Sequence, residues 1–352
     1  MSRWKENLIR KICTHPVKPP DSVDCQFTEK RYNDPSISAC IVQNMRHFVT
    51  LENVTTAELH RILELAAAIK GDMKQGKLSS LLAGKVMGMI FEKQSLRTRV
   101  SFEAGMFQLG GMAMSLGHEI GIGKRESVQD IAQVLSAMVD VIMFRALAHK
   151  TVEDFAAYST CPVINGLTDW AHPCQAVSDM LTIYEIFGQL QGIKLAWIGD
   201  SNNVAASLLR ASAKLGVKMS LAAPPQFQFD SATVDRLVGA SPMSGFEVDL
   251  TDNPAKAVQG AHVVYTDVWA SMGQESEEEE RKRIFAPYQV NGALLAEARR
   301  EAVFLHCLPA RRGLEVTDEV MDSPQSRVVL QSENRLHAQK GLLVWLLNEA
   351  GT

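Results

Sequence analysis

No apolar run in the chain approaches the ~18 residues that a membrane-crossing helix needs. The longest run near its end, 342–347, has six. There is no basic excess either: 36 Lys and Arg stand against 40 Asp and Glu, for a net charge of −4. That argues against a general nucleic-acid or polyanion binder, though not against a local anion pocket. The cysteines Cys13, Cys25, Cys40, Cys161, Cys174 and Cys307 contain no C-x-x-C pair. A disulfide scaffold or zinc ribbon is therefore disfavoured, and free thiols in a reducing compartment are expected. Glycine (23) and proline (13) are too few for a fibrous or low-complexity chain. A dinucleotide-binding turn would carry G-x-G-x-x-G after a strand. The best-placed turn offers only Gly199, followed by Asp200-Ser201-Asn202-Asn203.

What is present is an ordinary globular composition, 46% hydrophobic and 22% charged over 352 residues. Length alone makes two domains the default. Residues 1–44 differ in kind, with two Pro-containing stretches, three cysteines and little periodicity. Trp4, Leu8, Ile9 and Ile12 share one helical face, as in a transit peptide, but Asp21, Asp24, Glu29 and Asp34 run against an acid-poor leader. The segment reads as a mobile tail; mitochondrial targeting, or a folded unit that opens at Met45, are the alternatives.

From Met45 strands and helices alternate. Thr55 and Glu58 form a capping box, and Leu59, Ile62, Leu63, Ala66 and Ile69 follow at helical spacing. Strands are expected at 85–91, 141–144 and 162–164, then at 194–198, 218–221, 246–250, 262–266 and 303–305. A helix capped by Ser127 and a second near 203–214 lie between them. This grammar predicts an α/β protein of two doubly wound domains with parallel central sheets. Two helices should link them, one after His172 and one over 334–349. The run Glu277–Glu280 with Arg281, Lys282 and Arg283 reads as i,i+4 ion pairs on a solvated helix.

Ligands of such sheets bind beyond the carboxyl ends of the strands, where helix N-termini point at them. After the 85–91 strand come Ser95, Leu96, Arg97, Thr98 and Arg99, a set of donors suited to phosphate or carboxylate. The same string also suits a capped surface helix with two solvated arginines. The next strand ends in Arg145, and a further one leads to His172-Pro173-Cys174-Gln175 at a helix mouth. In the second half, Asn202 reads as an N-cap and Asn203 as a polar ligand group. Asp267 offers a negative charge for an amine, with a loop behind it. His306-Cys307-Leu308-Pro309 puts a thiol at a strand end, and Arg335 is expected at the N-terminus of the last helix.

Taken together, Ser95–Arg99, His172–Gln175, Asp267–Gly273 and His306–Pro309 resemble the signatures of the carbamoyltransferases, from about residue 45 to the end. The ornithine-type members are the most similar. The resemblance implies a carbamoyl-phosphate-binding domain at 45–187, an ornithine-binding domain at 188–333 and a helix at 334–352 that returns to the first. Ser95, Leu96, Arg97 and Thr98 would hold the phosphate, the leucine through its backbone. Arg145 would bridge phosphate and carbonyl oxygen, and His172 with Thr98 would polarise that carbonyl. Gln175 and the Cys307–Leu308 backbone would orient the carbamoyl amide, and Arg335 would add a cation. Asn203, Asp267, Ser271 and Met272 would bind ornithine, with Cys307 beside the attacking amine. Arg145, His172, Cys307 and Thr98 are thus the implied catalytic residues. No cofactor or metal, no nucleic acid and no membrane is implied. The implied protein is a cytoplasmic homotrimer, or a mitochondrial one if 1–44 is a leader.

Two positions depart from the family pattern. Leu96 stands where the family usually has Thr, which removes a hydroxyl but keeps the backbone N–H. A bulky apolar residue there also resembles the enzymes acting on N-acylated ornithine, although those lack the Ser271-Met272-Gly273 loop. Gly121 stands where the family places a Gln or His that reaches into a neighbouring subunit's site. A weakly active carbamoyltransferase-like binding protein is the remaining alternative, and the retained arginines argue against it.

Overall fold

The computed structural model describes residues 45–77, 79–117, 120–123, 125–240, 242–270 and 277–349. The expected tail at 1–44 lies outside them. The chain begins with α1 (Thr56–Lys74), β1 (Val86–Phe91), α2 (Leu96–Gln108), β2 (Met112–Leu116), α3 (Val128–Ser136) and β3 (Val141–Arg145). It continues with α4 (His149–Tyr158), β4 (Val163–Leu167), α5 (Pro173–Phe187), β5 (Lys194–Ile198), α6 (Asn203–Leu215) and β6 (Lys218–Ala222). Next come α7 (Ser231–Val238), β7 (Val248–Thr251), α8 (Pro254–Val258), β8 (Val263–Thr266) and α9 (Glu278–Phe285). The last elements are α10 (Gly292–Ala296), β9 (Val303–His306), α11 (Asp318–Met321) and α12 (Val328–Asn348).

The capping box forms as expected. Thr55 Oγ1 accepts from Glu58 N at 3.2 Å, and Glu58 Oε2 accepts from Thr55 N at 2.7 Å. Ser127 caps α3 by accepting from Asp130 N at 3.0 Å. The strands pair in two wholly parallel sheets, ordered β2-β1-β3-β4 and β7-β6-β5-β8-β9. In the first, the strand order reverses between β1 and β3; in the second, between β5 and β8. A reversal opens a crevice at the carboxyl ends of the two strands, because their following segments leave in opposite directions. Every residue singled out at a strand end follows one of these four strands or their neighbours β4 and β9.

Two helices join the halves. α5 runs from the first sheet to the second, and α12 packs on α1, α2 and α5. Lys70 Nζ donates to Glu185 Oε2 at 2.8 Å and to Asn334 Oδ1 at 2.6 Å, pinning α1, α5 and α12 at one buried point. Gly341 lets α12 cross α1 closely: a Cβ there would lie 2.5 Å from Ile62 O and 2.7 Å from Ala66 N. α12 begins at Val328 rather than 334, so Arg335 sits two turns inside the helix and not at its N-terminus. α12 is buried on nearly all faces from Asn334 to Leu346, which erases the amphipathic stripe that marks a helix start. The edge strand β2, half-exposed and rich in methionine, was not read from the sequence. β7 starts two residues later than expected, and β3 extends to include Arg145.

Candidate active site

A cleft of about 870 Å³ opens at the two crevices. Ser95, Leu96 and Arg97 reach it from the start of α2, Arg145 from the end of β3, and His172 from the mouth of α5. Asn203, Asp267, Cys307, Leu308 and Arg335 complete the wall. Thr98 and Gln175 stand behind it, at 0% and 1% exposure. Residues scattered over some 240 positions of sequence therefore converge on one space. Ser271 and Met272 fall outside the described residues.

The phosphate-side residues are held by one another. Arg145 Nη1 donates to Ser95 Oγ at 3.0 Å, and Arg335 Nη2 donates to Thr98 Oγ1 at 2.8 Å. Ser95 is the N-cap residue of α2, yet its hydroxyl makes no cap bond and faces Arg145 instead. The Nε atoms of Arg145 and Arg335 are buried without a partner. Burial, together with the nearby Arg335 and Arg97, lowers the pKa of Arg145 to about 10. Burial likewise lowers Arg335, with Arg97 adding to the effect. Clustered cations with idle donors, at a helix N-terminus, make a site that an anion would complete.

His172 is buried in the cleft wall, 4% exposed. Burial pushes its pKa well below 6.5, and Arg335, Arg145 and Arg97 push the same way. The ring is therefore neutral and can donate one hydrogen bond to a polarised oxygen without carrying charge. Its backbone N–H donates to Ser207 Oγ on α6 at 2.8 Å. Asn203 Nδ2 donates to Thr168 O at 2.5 Å, a second tie between the halves. That bond uses one of the two amide hydrogens of Asn203, which lines the cleft. Asn202 caps α6, accepting from Val204 N and Ala205 N, as its sequence position suggested.

Across the cleft lies the acidic wall. Cys307 Sγ donates to Asp267 Oδ1 at 3.1 Å, and Asn202 Nδ2 donates to Asp267 Oδ2 at 2.9 Å. Burial and Asp267 raise the Cys307 pKa well above 9, so it is a thiol, not a thiolate nucleophile. Asp267, His306 and Cys307 bring ligand atoms within 4.8 Å of one another, a metal-like spacing. Each already has a protein partner: His306 Nδ1 accepts from Leu308 N at 2.9 Å, and its Nε2 faces Glu315 Oε1 at 3.2 Å.

Three features escaped the sequence reading. Arg281 is not on a solvated face. It is 3% exposed, bonds Asp200 and the carbonyl of Trp269, and lies over the rings of Phe227 and Phe285. The Glu277 and Glu278 pairs with Arg281 and Lys282 do form around it. Asp200 lines the cleft, and burial raises its carboxyl to about 6 against the pull of Arg281. The third is a buried network around Asp179, joined by Gln175, Gln331 and Tyr265. Its signal was there: Asp179 is a carboxylate in the fully buried run 173–183 of α5, four residues after Gln175.

The architecture and the wall chemistry define a class: a two-sheet α/β protein whose cleft has a cationic wall on one half and an acidic wall on the other. Family models agree. Residues 46–185 match the aspartate/ornithine carbamoyltransferase carbamoyl-P binding domain, and residues 191–346 match the Asp/Orn binding domain of the same family. The ornithine carbamoyltransferase of Anoxybacillus flavithermus is 49% identical over 313 residues, 89% of this chain and 100% of the relative. The structure of the Pyrococcus furiosus ornithine carbamoyltransferase is 48% identical, with a TM-score of 0.79, covering 85% of this chain and 96% of that one. An acetylornithine transcarbamylase solved with acetylcitrulline is 31% identical, with a TM-score of 0.77, covering 87% and 100%. The chain belongs to the aspartate/ornithine carbamoyltransferase family.

Proposed function

We propose that the chain transfers the carbamoyl group of carbamoyl phosphate to the δ-amine of L-ornithine, giving L-citrulline and phosphate, as in arginine biosynthesis. The observation that carries this reading is the convergence of Arg97, Arg145 and Arg335 at the β1/β3 crevice, opposite Asp267 beyond β8. Ser95, Arg97, Thr98 and the Leu96 N–H hold the phosphate. Arg145 spans phosphate and carbonyl oxygen, and neutral His172 with Thr98 donates to that oxygen. Gln175 and the Cys307–Leu308 backbone take the carbamoyl NH₂. Asp267 and Asn203 hold the amino-acid end of ornithine, with Ser271 and Met272 on the adjoining loop, and Cys307 lies beside the amine.

The amine nitrogen attacks the carbonyl carbon, and charge gathers on the oxygen of a tetrahedral intermediate. Each preorganised donor to that oxygen contributes about 3–4 kcal/mol of barrier lowering. The C–O bond to phosphate then breaks, and phosphate leaves with the electron pair. A lysine-like amine has a pKa near ~10.4, so it sheds one proton to solvent before attack, and the second N–H proton passes to the phosphate as it leaves.

A citrulline assay comparing ornithine, N-acetylornithine, putrescine and aspartate tests the reading. Ornithine alone should give product at a substantial rate. Preference for N-acetylornithine is the second reading, which Leu96 favours, and it would replace the first. A homotrimer fits the outward-facing Leu96, Val100 and Phe107 of α2, Met112 of β2, and Val134 and Met138, all 51–81% exposed. Sedimentation should return three copies. No described helix is long and apolar enough to cross a membrane, and a cytoplasmic site of action is the reading we favour.

A further inference from the structure

Gln175 is 1% exposed, and its Oε1 is buried without a protein partner. Its Nε2 donates to Asp179 Oδ1 at 2.8 Å, one helical turn on. The same oxygen accepts from Gln331 Nε2 at 2.7 Å. Asp179 Oδ2 accepts from Tyr265 OH at 3.2 Å, and that hydroxyl accepts from Gln331 Nε2 at 2.8 Å. Gln331 Oε1 in turn accepts from His306 N at 2.9 Å, at the root of the Cys307–Leu308 segment. Asp179 is 0% exposed and Gln331 1%.

The network decides which way each amide faces, something that amide shape alone leaves open. Asp179 Oδ1 serves only as an acceptor. Both glutamines must therefore turn their NH₂ groups to it and their oxygens away. A proton on Asp179 would sit on Oδ2, toward Tyr265, and would leave Oδ1 accepting. The Gln331 oxygen finds the His306 N–H. The Gln175 oxygen finds nothing in the protein, although Gln175 lies one turn from His172, which lines the cleft.

We propose that Asp179 is the positioning residue that gives the acyl end of the cleft its acceptor polarity, so that the site selects an acyl phosphate bearing an NH₂ group over one bearing a methyl. The inference rests on the carbamoyl-phosphate reading above. A carbamoyl group presents N–H to the idle Gln175 oxygen. An acetyl group of nearly the same shape would bury that oxygen unsatisfied, which should weaken its binding roughly 5- to 150-fold. Asp179 touches neither ligand and acts only by fixing the amide.

The test compares carbamoyl phosphate, by its KM in citrulline formation, with acetyl phosphate and inorganic phosphate, by their inhibition constants. The full-length variants Asp179→Leu, Asp179→Asn and Asp179→Ala are used. Asp179→Leu keeps the bulk but removes the acceptor, freeing the Gln175 amide to turn. Its KM for carbamoyl phosphate should rise about tenfold, while both inhibition constants stay within about twofold. Asp179→Asn can still offer Oδ1 to both glutamines and Nδ2 to Tyr265, and should stay within about threefold of wild type on every constant. If Asp179→Leu melts without a cooperative transition, Asp179→Ala is judged by the same split. A merely structural Asp179 would raise all three constants together, or make Asp179→Asn as poor as Asp179→Leu; either result overturns the proposal. Wild-type protein that makes no citrulline would overturn the functional reading itself, whereas active wild type with parallel shifts overturns only the role of Asp179.

Discussion

The two walls of the cleft solve opposite electrostatic problems. On the first, Arg97, Arg145 and Arg335 crowd together, buried guanidinium nitrogens are left idle, and the partners of Arg145 and Arg335 are hydroxyls. On the second, each charged group named has partners within the protein: Arg281 answers Asp200, and Asp267 accepts hydrogen bonds from Asn202 and Cys307 while no cation pairs with it among the described residues. The first wall is thus incomplete without an anion, and the second already has its hydrogen-bond partners. An incomplete, preorganised cationic wall is what an enzyme needs if charge is to grow there during reaction.

The largest effect should come from breaking the strained wall. Arg145→Gln removes the donor between phosphate and carbonyl oxygen and should lower kcat about 10²–10³-fold. It also relieves repulsion from Arg335 and Arg97, so the ligand-free protein should unfold at no lower urea concentration than wild type. A variant both inactive and clearly less stable would mean that Arg145 is a structural ion and that the wall is not strained.

The acidic wall should respond differently. Asp267→Asn keeps the shape but loses the charge that faces the amine. The KM for ornithine should rise about 10–100-fold, the worth of a charge-assisted hydrogen bond, and the affinity for inorganic phosphate should stay within about twofold. If phosphate binding falls as steeply as ornithine binding, the two walls are not separable.

The contrast between the walls was partly legible in the sequence. Strand ends and caps announced Ser95–Arg99, Arg145, His172 and Asp267, because parallel strands are uninterrupted apolar runs and the polar residues that follow them stand out. Arg335 was found as a cation but misplaced, because a helix buried on all sides has no stripe to mark its start. Arg281 was misread because i,i+4 charge spacing looks the same whether the arginine points out or turns in to meet a carboxylate distant in sequence. The Asp179 network was missed because its members, Gln175, Tyr265 and Gln331, lie on three elements that only the tertiary fold brings together.

Acid should separate the halves further. Burial lowers the pKa of His47 to about 4 and of His337 to about 3, and holds His172 well below 6.5. The unfolded chain takes up protons at these positions near pH ~6.5 and the folded one does not, so their contribution is present above that pH and is lost below it. In the second half burial also lowers His262, beside β5, but Asp200 has the opposite sign. Its folded pKa of about 6 lies above the ordinary 3.8, so its contribution is largest in acid and declines as pH rises through 6. Hydrogen exchange corrected for intrinsic rates should show β1 and β3 losing protection between about pH 7 and 5 before β5 and β8 do. Equal loss in both sheets would remove the electrostatic distinction.

The smallest expected effect is at Leu96, where a hydroxyl would add one donor to the cationic wall. Leu96 opens α2, 73% exposed on the cleft rim, so replacing it disturbs no core. Leu96→Thr adds one donor to the phosphate and should lower the KM for carbamoyl phosphate about two- to fivefold, the net worth of one hydrogen bond in a partly solvated place. It should leave the ornithine constant alone, since Asp267 faces the amine from the other wall. An unchanged or raised KM would mean that the arginines and the helix N-terminus already saturate the phosphate oxygens. The wall would then have no room for a further donor, and its idle guanidinium nitrogens would have to serve the carbonyl oxygen instead.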